Sequence, residues 1–128
     1  MGIAKPFVAV VDDDESVGRA IRRLLHSVGI DADTFSSGDE FLDTLASMPS
    51  YHPGCVILDI QMPGINGLEV QRRLAGSGVP VILITAHDDV AVRDQALALG
   101  AVGYLRKPFN DSILIKTVQA ALGITPSP

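Results

Sequence analysis

Cys55-Val56-Ile57-Leu58-Asp59-Ile60-Gln61-Met62-Pro63-Gly64 is the stretch on which the reading of this chain turns. The run from Cys55 to Leu58 is apolar without polar alternation and lies between Pro53-Gly54 and Pro63-Gly64. That is the pattern of a short strand buried on both faces. Asp59 then stands where a buried strand ends. In open α/β sheets ligand chemistry collects at the carboxyl edge of the strands, so a carboxylate there is held by the sheet and still open to a ligand. Taken alone, the same Asp reads equally well as the start of a turn.

Outward from this stretch the pattern repeats. Phe7 to Val11 is a β-branched apolar run entering Asp12-Asp13-Asp14-Glu15, followed by Val17, Ile21, Leu24, Leu25 and Val28 at helical spacing. Gly29 closes that helix, Ile30 to Phe35 reads as a second strand, and Ser37-Gly38-Asp39-Glu40 has the capping-box pattern before Phe41, Leu42 and Leu45. After a Pro-, Ser- and Gly-rich loop from Met48 to Gly54 comes the Asp59 strand, then Asn66 as N-cap of a short helix carrying Leu68, Val70 and Leu74. Val79 to Thr85 is another continuous apolar strand ending in one hydroxyl, and Ala86-His87-Asp88-Asp89 leads into an Ala-rich helix closed by Gly100. Val102 to Leu105 makes a fifth strand, Arg106-Lys107-Pro108 a turn, and Asn110 or Asp111 caps a last helix with Leu114, Val118, Ala121 and Leu122 inward. Uninterrupted β-then-α alternation predicts a parallel sheet with right-handed crossovers and helices on both faces.

Composition narrows the function classes. At 128 residues the chain is of one-domain size, and its 47% hydrophobic content belongs in a two-sided sheet, since no apolar run approaches the ~20 residues that span a bilayer. The lone Cys55 cannot form an internal disulfide and there is no basic, then apolar, leader pattern, so a reducing cytoplasm is the expected setting, with no membrane. Fifteen acidic against ten basic side chains leave a net charge of −5, which argues against direct nucleic-acid binding. Arg19, Arg22 and Arg23 read as a solvated helix face. The expected division is a domain over residues 1–124, with 125–128 as a tail or the start of a linker.

In a parallel sheet the carboxyl ends of the first, third, fourth and fifth strands share one edge, and they bring Asp12 and Asp13, Asp59, Thr85 and Lys107 to it. Three neighbouring carboxylates repel one another and raise their own pKa values unless a cation compensates. Hard oxygen donors without His or Cys favour Mg²⁺ over zinc. Each feature has a plainer reading: an Asp before a helix is more often a cap, and a Lys before Pro108 an ordinary surface cation. The combination of four strand ends is the stronger signal. His26 and His52 have no partner pattern, and His87 reads as a solvated loop histidine.

These motifs, Val-Val-Asp-Asp-Asp-Glu from Val10, Leu-Asp-Ile-Gln-Met-Pro-Gly from Leu58, Ile-Thr-Ala from Ile84 and Lys-Pro-Phe from Lys107, resemble the receiver domain of two-component response regulators from about Phe7 to Leu122. The resemblance implies a flavodoxin-like doubly wound α/β fold, a five-stranded parallel sheet in order 2-1-3-4-5, with its site at the switch between strands one and three. It implies Asp59 as phosphoacceptor, Asp13 as a direct Mg²⁺ ligand, Asp12 as an acid acting partly through water, the main-chain carbonyl of Gln61 as a further ligand, and Lys107 as the cation on the phosphoryl group. Thr85 and Tyr104 are the implied switch pair, the hydroxyl moving to the phosphoryl group and the ring turning inward, which reshapes the surface of the fourth helix and fifth strand. For Tyr104 a half-buried sheet aromatic with a wet hydroxyl is the alternative. Lys107-Pro108 is implied as a cis peptide.

The implied partners are a histidine kinase or phosphotransfer protein, a second copy of the chain on phosphorylation, and an effector domain beyond Pro128, with Thr85 to Val90 and Arg106 to Phe109 similar to receivers that precede helix-turn-helix domains. Rival readings are a Mg²⁺-dependent phosphatase with an aspartyl-phosphate intermediate, whose nucleophile would sit in a spaced acidic motif on the first strand, and a receiver-like interaction module that never takes phosphate. A nucleotide-binding domain lacks its Gly-rich motif after the first strand.

Overall fold

The computed structural model describes residues 5–124. Five strands, β1 (Phe7–Val11), β2 (Asp31–Phe35), β3 (Cys55–Asp59), β4 (Val81–Thr85) and β5 (Gly103–Arg106), alternate with α1 (Glu15–His26), α2 (Gly38–Ser47), α3 (Gly67–Leu74), α4 (Val90–Ala98) and α5 (Asp111–Leu122). All pairings are parallel and the order is β2-β1-β3-β4-β5, as the alternation predicts. The order reverses between β1 and β3, which opens a crevice at their carboxyl ends.

Strand period sorts the core into two layers. Ala9, Val11, Val56, Leu58 and Leu83 face Phe41, Val70, Leu74 and Ala96, so α2, α3 and α4 cover that side. Val8, Val10, Cys55, Ile57, Ile82 and Ile84 face Ile21, Leu25, Leu114 and Val118 of α1 and α5. Because both faces are covered, β3 and β4 are buried at every position, which explains their lack of polar alternation. Cys55 is buried among them, and burial pushes its thiol up to about 12, where it is no nucleophile.

The helices start where the capping side chains stand. Asp14 accepts the N–H groups of Ser16 and Val17, Asn66 that of Glu69, Asp89 those of Ala91 and Val92, and Asn110 rather than Asp111 that of Ile113. Ser37 caps Glu40 at 3.0 Å, and the Glu40 carboxylate returns to the hydroxyl of Ser36 at 2.9 Å rather than to the cap residue itself.

Several boundaries differ from the periodicity. Helix α1 stops at His26 and Val28 is exposed, because Gly29 takes φ +81° and the Ile30 N–H turns back to the Leu25 carbonyl at 2.9 Å. Ile30, not Val28, fills the slot below, and β2 begins one residue later. Strand β4 begins at Val81, after Pro80, which has no N–H for the ladder. Strand β5 begins at Gly103 and leaves Val102 exposed. A side chain at 103 would meet Thr117 Cγ2 at 2.7 Å, so α5 rests directly on the strand there. No helix among the described residues is long and apolar enough to cross a membrane. The expected tail, 125–128, lies outside the described residues.

Candidate functional site

The carboxyl ends of β1, β3, β4 and β5 converge as the strand alternation requires. Asp12 follows β1, Asp59 ends β3, Thr85 ends β4 and Lys107 follows β5. Backbone bonds fix each of them: the Asp12 N–H donates to Phe35 O at 3.0 Å, the Ile60 N–H to Ile84 O at 2.9 Å, and the Lys107 N–H to Thr85 O at 2.7 Å. The Lys107-Pro108 bond is cis.

Lys107 reaches across the ends of β4 and β3 to the acidic loop. Its Nζ lies 2.8 Å from Asp12 Oδ2 and 3.5 Å from Asp59 Oδ1. Asp12 Oδ1 is occupied by the Asp14 N–H at 2.9 Å. Asp12 and Asp59 are only 2% and 3% exposed, while Asp13 is exposed. A carboxylate oxygen from each of Asp12, Asp13 and Asp59 lies within 4.8 Å of the other two.

One cation among three carboxylates leaves a local charge deficit. Burial, and then the Asp12 carboxylate, push Asp59 up to about 7, and Lys107 opposes them. For Lys107, burial works against the charge, but the hydrogen bond and charge of Asp12, followed by the charge of Asp59, outweigh it and the ammonium is held above its ordinary value. Asp59 Oδ1 is buried without a hydrogen-bond partner among the described residues, since Lys107 at 3.5 Å is a charge contact rather than a directed bond. An orphaned anionic oxygen facing two further carboxylates suits a hard divalent cation, and all the nearby donors are oxygen.

The remaining residues implied by the sequence lie around this centre in different states. Gln61 is two residues past Asp59, in the loop to α3, and its side chain reaches the β4 end, where Thr85 Oγ1 lies 2.8 Å from Gln61 Oε1. Tyr104 lies within β5, not at the carboxyl ends of the strands. It is paired in register with Leu83, its ring packs partly buried against the core, and its hydroxyl is enclosed with no partner among the described residues, so the wet hydroxyl of the plainer reading is not observed. His87 is exposed and meets Thr85 through its main chain.

Two features escape the sequence reading. The side-chain contact from Gln61 to Thr85 spans 24 residues and has no local motif. Gly67, at the start of α3, is the second: a Cβ there would lie 2.4 Å from the Asp59 carbonyl oxygen and 2.9 Å from Ile60 Cα. The helix start therefore rests on the backbone that carries the carboxylate. The Asn66-Gly67 pair is the trace of this in the sequence, because a small residue directly after an N-cap marks close approach.

Comparison with known proteins agrees with this architecture. The family model for the response regulator receiver domain matches residues 8–119. The response regulator protein TmoT of Ectopseudomonas mendocina is 36% identical over 121 residues, covering 93% of this chain and 54% of the relative. The transcriptional regulatory protein FixJ of Azorhizobium caulinodans is 41% identical over 118 residues, covering 91% and 54%. The chain thus spans about half the length of the curated relatives it matches. The crystal structure of a response regulator receiver protein from Burkholderia phymatum superposes with a TM-score of 0.88 at 72% identity, covering 97% of this chain and all of that one. With its crevice between β1 and β3 lined by the acidic and basic strand ends, this chain belongs to the response regulator receiver domain family.

Proposed function

We propose that the domain accepts a phosphoryl group on Asp59 from a phosphohistidine of a histidine kinase or phosphotransfer protein. A carboxylate oxygen of Asp59 forms the new P–O bond, the P–N bond breaks, and its electron pair returns to the imidazole. The observation that carries this reading is the buried Asp59 carboxylate with an unpartnered oxygen, held 3.5 Å from Lys107 and beside two further acids. Asp13, Asp59 and the main-chain carbonyl of Gln61 would hold Mg²⁺ directly, with Asp12 acting partly through water. When bound, the ion neutralises charge on the transferring oxygens and lets Asp59 ionise despite its neighbours. Lys107 supplies a second positive charge at the phosphoryl oxygens, and Asp12, at 2.8 Å, orients it.

Thr85 and Tyr104 form the proposed switch. It starts from a Thr85 hydroxyl turned toward Gln61 and a Tyr104 ring already packed on the core. Movement of the hydroxyl to the phosphoryl group reshapes the α4–β5 surface, where Val90, Leu97 and Val102 are exposed. The output is proposed to be transcription, through an effector domain beyond Pro128 as the half-length match to FixJ suggests, with a phosphorylation-dependent homodimer, in the cytoplasm, and with no direct contact of this domain to nucleic acid or membrane. The domain catalyses only its own phosphorylation and dephosphorylation.

Borohydride reduction of the protein after treatment with a small acyl phosphate and Mg²⁺ tests the assignment, because it converts an aspartyl phosphate to homoserine. Peptide mass analysis is expected to find homoserine at position 59; its appearance elsewhere overturns the assignment, and steady turnover of phosphomonoesters would make the protein a phosphatase. Light scattering that gives one mass with and without a phosphoryl mimic would remove the dimer.

A further inference from the structure

Thr85 is not free at the head of β4. Its Oγ1 lies 2.8 Å from Gln61 Oε1 and 2.8 Å from the His87 carbonyl, and it accepts the His87 N–H at 3.0 Å. A hydroxyl has one proton to give, so the two oxygens compete for it. Gln61 Oε1 also accepts the Ala86 N–H at 3.3 Å. One side chain on the β3–α3 loop thereby bridges to the side chain of Thr85 and the backbone that follows it. Gln61 itself is exposed, and the core has no need of it.

We propose that the Gln61 side-chain amide is a latch that positions Thr85 in the resting state and must release the hydroxyl before it can reach a phosphoryl group on Asp59. This rests on the reading of Thr85 as the switch hydroxyl. The role belongs to the side chain and is separate from the main-chain carbonyl of Gln61, which every substitution retains. A hydrogen bond made only in the resting state lowers the fraction of molecules competent for the switched state, and apparent affinity for a ligand of that state falls by the same factor. The His87 carbonyl still competes for the hydroxyl when Gln61 is removed, so only the Gln61 share is recovered. One neutral hydrogen bond corresponds to about a fivefold change.

Two readouts on the folded domain test the latch. Three-bond couplings across the Thr85 χ1 bond, measured by NMR without ligand, report whether the hydroxyl is held in one rotamer. Titration with beryllofluoride in the presence of Mg²⁺ reports access to the switched state. Gln61→Met keeps the length and removes the acceptor: the Thr85 couplings are expected to move toward those of a rotamer mixture, short of full averaging because His87 still holds the hydroxyl, and beryllofluoride to bind up to about fivefold more tightly. Gln61→Glu keeps an acceptor oxygen and is expected to restore the single rotamer. In a Thr85→Ala background the effect of Gln61→Met on the titration is expected to vanish. Unchanged Thr85 couplings in Gln61→Met overturn the latch, as does a tightening that persists without the Thr85 hydroxyl, which would mean that Gln61 acts on the phosphoryl mimic directly. A wild-type domain that binds no beryllofluoride overturns instead the phosphoacceptor reading and the release step with it, while the couplings still decide whether Gln61 holds Thr85.

Discussion

Replacing Asp59 by Asn in the metal-free protein separates the electrostatics of the site from its phosphorylation. The Asp59 carboxyl, pushed up to about 7 by burial and by Asp12, has an ordinary value of 3.8. Between those values the native state keeps a proton that the unfolded chain has lost. The sign follows: a raised acid pKa leaves stability at its full value below the unfolded pKa, and stability is lost as pH rises through the window up to the folded value. One full proton difference changes stability by about 1.4 kcal/mol per pH unit, and the folded group is half ionised at pH 7, so the wild type should lose about 2 kcal/mol between pH 5 and pH 7 from this group and little more above. Asn has nothing to ionise and similar volume. Urea unfolding in EDTA at pH 5, 6, 7 and 8 is the assay. With an m-value of about 1.5 kcal/mol/M, the midpoint of the wild type should fall relative to Asp59→Asn by about 1.5 M between pH 5 and pH 7. Addition of Mg²⁺ at pH 8 should recover much of the loss in the wild type and little in the variant. Parallel pH profiles for the two proteins would refute the claim that Asp59 is a destabilised carboxylate awaiting a cation.

Lys107→Met removes the ammonium beside Asp12 and Asp59, so the Asp59 carboxyl should titrate higher still and acyl-phosphate labelling at pH 7 should slow by about a hundredfold or more, read by phosphoprotein electrophoresis over time. Thr85→Ala should leave labelling of Asp59 detectable yet abolish the phosphorylation-dependent shifts of α4 and β5 amides in NMR spectra; full shifts in the variant would disprove the coupling. Gly67→Ala places a methyl 2.4 Å from the Asp59 carbonyl oxygen, and since backbone must move, a loss of about 2–3 kcal/mol in urea unfolding is expected, with weaker Mg²⁺ binding because the strand end moves too.

The fold was legible because β3 and β4 are buried on both faces and so carry uninterrupted apolar runs, while each helix opens with a side chain that can cap it. The acidic and basic strand ends were legible for the same reason: parallel alternation forces Asp12, Asp59, Thr85 and Lys107 onto one edge whatever the loops do. Ends of elements were less so. Val28 continues the helical spacing of α1 perfectly well, and it is the left-handed Gly29 with the back-turn of Ile30 that stops the helix. Strand β5 is set by α5 resting on Gly103, a contact between segments that no local pattern reveals. The Gln61 contact to Thr85 depends on two loops meeting, and the enclosed hydroxyl of Tyr104 depends on how β5 packs beside β4; neither has a signature in spacing. Close approach at Gly67 left only a faint mark, because Asn-Gly pairs also occur in ordinary turns.

Intact mass after incubation with a small acyl phosphate, with and without Mg²⁺, on wild type and Asp59→Asn, decides whether Asp59 is a metal-dependent phosphoacceptor. The wild type with Mg²⁺ is expected to gain one phosphoryl group, with no gain in the absence of the metal or of Asp59. A folded, Mg²⁺-binding wild type that gains no mass, or an Asp59→Asn protein that gains as much, would contradict it.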